Sequence, residues 1–193
     1  MKKIGKGLLL AGFLLILGSA VLLICSRIHA QRAAASAAEL TARLEAVLPP
    51  RTTGVTEAYT TMEMPAFSIG QQDFIGLVEI PAFQSALPLG SGWDRSQVSS
   101  FPCRFWGTVY DSSLIIGGSD QMGQFDFLDQ IQLGDAVLVT DMTGAEFTYR
   151  TEKIFRSNSA DAEILLDEES ALTLFARDSR SFEYIIVRCA LQS

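Results

Sequence analysis

Histidine is nearly missing from this sequence. The only one among 193 residues is His29, close to the N-terminus. Residues 71–193 therefore contain none, which excludes Ser-His, Cys-His and His-metal mechanisms from that stretch. Cysteine is scarce as well. Cys25, Cys103 and Cys189 fall at no metal-ligand spacing. Positive charge is short where it would matter for nucleic acid. Residues 71–193 carry eight Lys/Arg against eighteen Asp/Glu, a balance of −10, whereas residues 1–70 stand at +3. A surface of that sign repels phosphate backbones, so nucleic acid is excluded as a partner. Gly117-Gly118 is followed by no lysine and makes no phosphate loop. Neither a metal nor a cofactor is expected.

One long apolar run is present. "MKKIGKGLLLAGFLLILGSAVLLIC" opens on Lys2, Lys3 and Lys6, and Gly7 to Cys25 is nineteen residues without a charge. At about 1.5 Å per residue such a helix nearly spans a hydrocarbon core of roughly 30 Å. The apolar region of a signal peptide is shorter, and Arg27 and Arg32 separate this run from the small residues of Ala33–Ala38. The run is expected to stay as an anchor in the plasma membrane, with the N-terminus cytoplasmic and the remainder outside the cytoplasm. Cys25, at the boundary, reads as a small apolar residue of that helix.

After the run, Ala33, Ala37, Leu40, Leu44 and Val47 recur at helical spacing, and Pro49-Pro50 ends the pattern. Residues 27–48 are expected to be a helical stalk and 49–72, rich in Thr and Pro, a linker. β signals then dominate. They are Phe74–Ile80 closed by Pro81, Ser113–Gly118, a hairpin over Ala136–Ile154 turning at Asp141–Gly144, and the pair Leu172–Phe175 and Tyr184–Val187. Short strands at close spacing predict a closed or nearly closed barrel over 73–193, with one or two short helices at Phe125–Ile131 and Asp167–Phe175.

These pieces, in this order, resemble the sortase domain: "FIGLVEIP" then "LPL", "FPCRFWGTVYDSSLIIGG", "FDFLDQIQLGD", "VTDMTGAEFTY", and the closing "LTLF…VRC". The resemblance covers about residues 74–191. It implies a mainly β fold, a sortase-type closed β-barrel preceded by an N-terminal transmembrane helix, residues 1–26 forming the cytoplasmic tip and the anchor. It also implies a Gram-positive cell-surface setting. Sortases are cysteine transpeptidases that cleave a surface protein at a C-terminal sorting signal and join it to a wall or pilin amine. Their chemistry needs a cysteine nucleophile, a histidine acid/base and a supporting arginine.

In this sequence all three of those positions are replaced. The histidine of the family follows an apolar-apolar-small-Gly strand, where Leu114–Gly118 is followed by Ser119. The cysteine follows a Leu-Thr-Leu-Phe-Thr strand, where Leu172–Ala176 is followed by Arg177. The arginine opens the last strand four residues before the Arg188-Cys189 pair, at Tyr184. Arg is permanently protonated and no nucleophile. The resemblance thus implies a sortase-like pseudoenzyme that binds a sorting-signal-like peptide through Ser119, Arg177 and Tyr184. Equally it fits an accessory to an active sortase in surface-protein anchoring or pilus assembly. The alternative is a transpeptidase with non-standard catalytic residues.

Several residues keep two readings. Cys103 and Cys189 are either inert packing or a disulfide suited to an oxidising exterior. Arg177 is either a solvated charge paired with Asp178, Asp120 or Glu183, or a clamp for a carboxylate or peptide carbonyl. Asp161–Ser170 is a solvated loop or helix start, or a loose calcium-ligand cluster. Trp93 and Trp106 belong to the core or to a groove wall.

Overall fold

The computed structural model describes residues 2–54, 63–94, 96–166 and 169–192. In its first helix, side chains are described from residue 15 on, apart from 25–27, 29–30 and 32–34. The chain forms α1 (Lys2–Val47), β1 (Thr52–Thr53), β2 (Phe67–Ile69), β3 (Gln72–Ile80), β4 (Ser85–Gly90), β5 (Cys103–Trp106), β6 (Leu114–Ser119), β7 (Ala136–Asp141), β8 (Ala145–Ser157), α2 (Ala162–Leu165), β9 (Leu172–Arg177) and β10 (Tyr184–Leu191).

Eight of these strands close on themselves. The path runs β3-β4-β5-β6-β9-β10-β8-β7, and β7 returns to pair with β3. Closure leaves none of the eight as a free edge. β4–β5 and β6–β9 are parallel, and the other ring contacts are antiparallel. The β7–β8 hairpin turns on Asp141, whose carboxylate accepts hydrogen bonds from Thr143 N at 2.8 Å, Ala145 N at 3.0 Å and the Tyr110 hydroxyl at 2.6 Å. β3 carries a bulge between Phe74 and Gly76. Only glycine fits there: φ is +153°, and a Cβ would stand 2.0 Å from the Thr140 carbonyl oxygen of β7.

Period-two alternation builds the walls. Along β9, Leu172, Leu174 and Ala176 point into the barrel, while Phe175 points outward to a small cluster with Ile115, Leu165 and Ile186. β6 and β10 repeat the pattern, with Leu114 and Ile116 inside and Ile115 outside, then Ile185 and Val187 inside and Ile186 outside. Phe125, Phe127 and Leu128 also join the interior cluster. Each of these large side chains contributes about 1.5–3 kcal/mol by leaving water.

The end of α1 lies against the barrel. Ala37 and Leu44 are fully buried, and Leu44 packs with Phe74, Leu77, Phe101 and Cys103. The Thr41 hydroxyl donates to the Ala86 carbonyl of β4 at 3.2 Å. The apolar stripe read as a stalk is thus in its last turns a docking face, although Val47 stays half exposed. Both ends of the segment read as a linker join the sheet. β1 pairs with Ala145–Glu146, and β2 with Gln72–Phe74. Residues 55–62 between them lie outside the described residues.

The short helices differ from expectation. Phe125–Ile131 forms successive tight turns, with Leu128 N bonded to Phe125 O and Gln130 N to Phe127 O. The helix is α2, earlier in the chain than Asp167, and it begins where the Asp161 carboxylate accepts from Ile164 N. A capping aspartate wins over the sequence that follows. Among the described residues no helix is long and apolar enough to cross a membrane. Residues 7–14 and Cys25 of the expected anchor lie outside those whose side chains are described.

Candidate functional site

The three positions singled out in the sequence meet on the outer face of the β6–β9–β10 wall. Ser119, the last residue of β6, is the register partner of Arg177, the last of β9. Arg177 in turn is the partner of Tyr184, the first of β10. Directly opposed residues project to one face, so the three form a row about 10 Å long across adjacent strands.

A cavity of about 600 Å³ opens beside this row, walled by Trp93, Phe105, Phe175 and Tyr184, with Arg177 on its margin. Its aromatic walls hold one another. Trp93 meets Phe105 edge-on at 5.3 Å and Phe175 at 5.5 Å between ring centroids. Gly117 makes this possible, because a Cβ there would lie 2.2 Å from the Trp93 ring. A second recess of about 290 Å³, lined by Ser119, Asp120, Gln121, Ser179 and Phe182, adjoins the first at Gly118 and Arg177. Arg177 therefore stands where an apolar chamber and a polar one meet.

Its electrostatic setting departs from a plain solvated ion pair. Asp178, Asp120 and Glu183 are all committed elsewhere. The buried Asp178 carboxylate accepts from Arg156 at 2.8 Å, from Arg180 N at 2.9 Å and from the Ser181 hydroxyl at 2.9 Å. Chiefly through the Arg156 hydrogen bond, its pKa is held well below the usual carboxylate range. Asp120 accepts from the backbone N and hydroxyl of Ser179 at 2.6 and 2.8 Å. Glu183 lies 3.9 Å from Arg156. Among the described residues Arg177 has no ion-pair partner. Its Nε donates to the Phe182 carbonyl at 3.4 Å, and its guanidinium carbon lies 5.6 Å from the centroid of the Phe182 ring. Phe182 holds a left-handed backbone (φ +62°) in the turn after Asp178, and its ring is largely exposed. Arginines 51, 104, 156 and 180, by contrast, each face a carboxylate.

Neither described thiol reaches the groove. Cys103 lies under α1, and Cys189 inside the barrel with its Sγ 3.8 Å from the Thr151 hydroxyl. Burial pushes both thiols up to about 12, so neither ionises near neutral pH. Of the two readings of this pair, inert packing holds: both thiols are free and buried. The reason is topological. β6 and β9 separate β5 from β10, putting the two cysteines about 14 Å apart at the usual strand spacing, twice the reach of a disulfide. They also face opposite sides of the wall. The Ser119 hydroxyl accepts from Gln121 N at 3.3 Å. Among the described residues no group of three His, Cys, Asp or Glu could hold a metal ion.

Trp93 is a groove wall, within the expectation. Trp106 is 60% exposed and lines a recess of about 380 Å³ with Arg104 and Asp111, which shares Trp93 and Phe105 with the chamber. Phe105 and Phe182 were missed by the sequence reading.

No protein-family model matches the sequence, and no curated protein matches it. Solved structures do. A sortase D5 transpeptidase of Clostridium perfringens aligns at 20% identity and a TM-score of 0.54, over 62% of this chain and 79% of its own. Sortase A of Corynebacterium diphtheriae, a lid mutant, aligns at 16% and 0.55, over 83% of this chain and 94% of its own. Sortase C of C. perfringens, determined with the C-terminal cell wall sorting motif, aligns at 16% and 0.55, over 63% and 72%. The chain has the sortase fold. At these identities the likeness extends to the barrel and not to the chemistry. On this sortase barrel the open row is Ser119, Arg177 and Tyr184.

Proposed function

We propose that this sortase-fold protein holds a peptide in the groove at Arg177 without cleaving it. The reading includes the anchor: residues 7–25 fix the chain in the plasma membrane, and the barrel works outside the cytoplasm, on the sorting-signal region of a surface protein. The observation that carries it is Arg177. A guanidinium without an ion pair among the described residues stands between an aromatic chamber and a polar recess, in a domain where acids outnumber bases. A planar fork of donors suits peptide carbonyls and carboxylates, and an aromatic chamber suits an apolar side chain. The chemistry for cleavage is unsupported. Residues 71–193 hold no histidine to activate Ser119, Arg177 is no nucleophile, and the buried thiols Cys103 and Cys189 stay protonated. The exposed Leu15, Ile16, Val21 and Leu22 of α1 support the anchor, since the described chain leaves them uncovered.

The test is a pair of assays on the full chain in detergent. Fluorogenic peptides bearing sorting-signal sequences should show no hydrolysis or amine transfer, yet should bind. Turnover that vanishes in Ser119→Ala or Cys189→Ala would establish an enzyme and overturn the reading.

A further inference from the structure

The groove has more detail than a general peptide site requires, and resting on the binding role proposed above, the geometry points to a specific ligand class. We infer that the site captures the free C-terminus of a peptide whose last residue is large and apolar. The α-carboxylate would sit on Arg177 and the terminal side chain in the chamber of Trp93, Phe105 and Phe175.

Three observations converge on this. First, the cation lacks a counter-charge among the described residues, while Asp178 and Glu183, close in sequence, and Asp120, just past the end of the adjoining strand, are each tied to other donors. A carboxylate from outside would complete the site. Second, Tyr184 supplies a further donor. It is the cross-strand partner of Arg177 and lines the same cavity, and its hydroxyl has no partner among the described residues. A carboxylate has two oxygens and accepts from both groups at once; a single peptide carbonyl uses fewer of these donors. Third, the spacing favours a chain end. Arg177 borders the aromatic chamber directly, so charge and apolar side chain must leave the ligand close together. In a terminal residue both hang from one Cα. Within an extended chain, neighbouring side chains point to opposite faces, and same-side neighbours are about 7 Å apart. An internal Asp or Glu beside an apolar residue therefore presents the two groups in opposite directions. The polar recess of Ser119, Gln121 and Ser179 is then left for the preceding backbone.

The experiment uses the full chain in detergent and one peptide, fluorescein-labelled acetyl-free Gly-Ser-Leu-Phe, as the free acid and as the C-terminal amide. Binding is read by fluorescence anisotropy. The acid should bind roughly tenfold or more tightly than the amide. Arg177→Ala should weaken the acid far more than the amide and so abolish the preference between them, with Tyr184→Phe giving a smaller loss. Arg177→Gln, polar but uncharged, gives the same reading if the alanine variant loses its fold. Equal binding of acid and amide would overturn terminal-carboxylate capture and leave the peptide groove standing. A preference for the acid that survives Arg177→Ala would place the carboxylate elsewhere and overturn the assignment. Failure of both peptides to bind at millimolar concentration would remove the groove reading, and this inference with it.

Discussion

The barrel has two apolar outer faces, and the chain treats them differently. On the β3–β4–β5 side, the end of α1 covers the wall, and Leu44, Phe74, Leu77, Phe101 and Cys103 are completely buried. On the β6–β9–β10 side, Phe105, Phe175 and Tyr184 border an open chamber, and Trp93 remains 37% exposed. Both faces alternate apolar residues outward from the same kind of strand. One is finished by the protein itself and works as core. The other carries its aromatic surface beside a guanidinium with no ion pair among the described residues. The contrast gives the first face the character of core and is what the proposed peptide site rests on at the second.

The sharpest way to break that contrast is to cut one residue from each face. Leu44→Ala should cost about 2–5 kcal/mol of unfolding free energy, because the site is closed by helix and barrel and collapses poorly. Arg177→Ala should change it by no more than about 0.5 kcal/mol, as an exposed strand-end residue without an ion pair. Urea melts of the two variants decide the matter. A loss at Arg177 as large as at Leu44 would mean that the groove face is structural after all.

Gly117→Ala acts on the open face alone. The new methyl would stand 2.2 Å from the Trp93 ring and 2.6 Å from Phe175. Overpacking of this kind costs about 1–3 kcal/mol where neighbours cannot yield. Trp93 is half-exposed and can swing out, so the cost should fall at the lower end, with a red shift of tryptophan emission as the indole enters water. The same change in a sealed face would unfold the protein; an unshifted spectrum with a large stability loss would class Trp93 as core.

How far the sequence showed these faces depends on which interaction decides each one. The strands of the groove were legible because β6, β9 and β10 alternate within themselves, and Ser119, Arg177 and Tyr184 were picked out by the likeness of those strands to the sortase motifs, while their register is seen only in the fold. The docking of α1 was not legible. The spacing of Ala37, Leu40 and Leu44 defines an apolar stripe but not the surface it meets, which comes from Phe74, Leu77 and Phe101 far along the chain. The choice between packing and a disulfide for Cys103 and Cys189 stayed open for a similar reason, since strand order and side-chain direction are tertiary facts. The isolation of Arg177 was hidden as well. Asp178 and Glu183 are its close neighbours in sequence, and only the fold shows them turned toward Arg156.

That diversion of Asp178 gives the smallest and most specific test of the open face. Its carboxylate closes the turn that positions Phe182 beside Arg177. Its pKa in the folded state is depressed, mainly by the Arg156 hydrogen bond, while in the unfolded chain it returns to about 3.9. The ionised form is thus favoured by folding. The resulting stability is fully present above about pH 4 and is lost as pH falls through the folded-state value. In Asp178→Asn this part of the acid sensitivity should disappear, so that variant and parent converge in melting temperature as pH falls below 4 and differ most near neutrality. Since Asn leaves Arg156 without its buried partner, the turn should also loosen. Peptide binding at neutral pH should then weaken even though Arg177 itself is unchanged. Melting curves that stay parallel from pH 7 to pH 2 would show that Asp178 contributes nothing through its charge. The open face would then owe its arrangement to backbone hydrogen bonds alone.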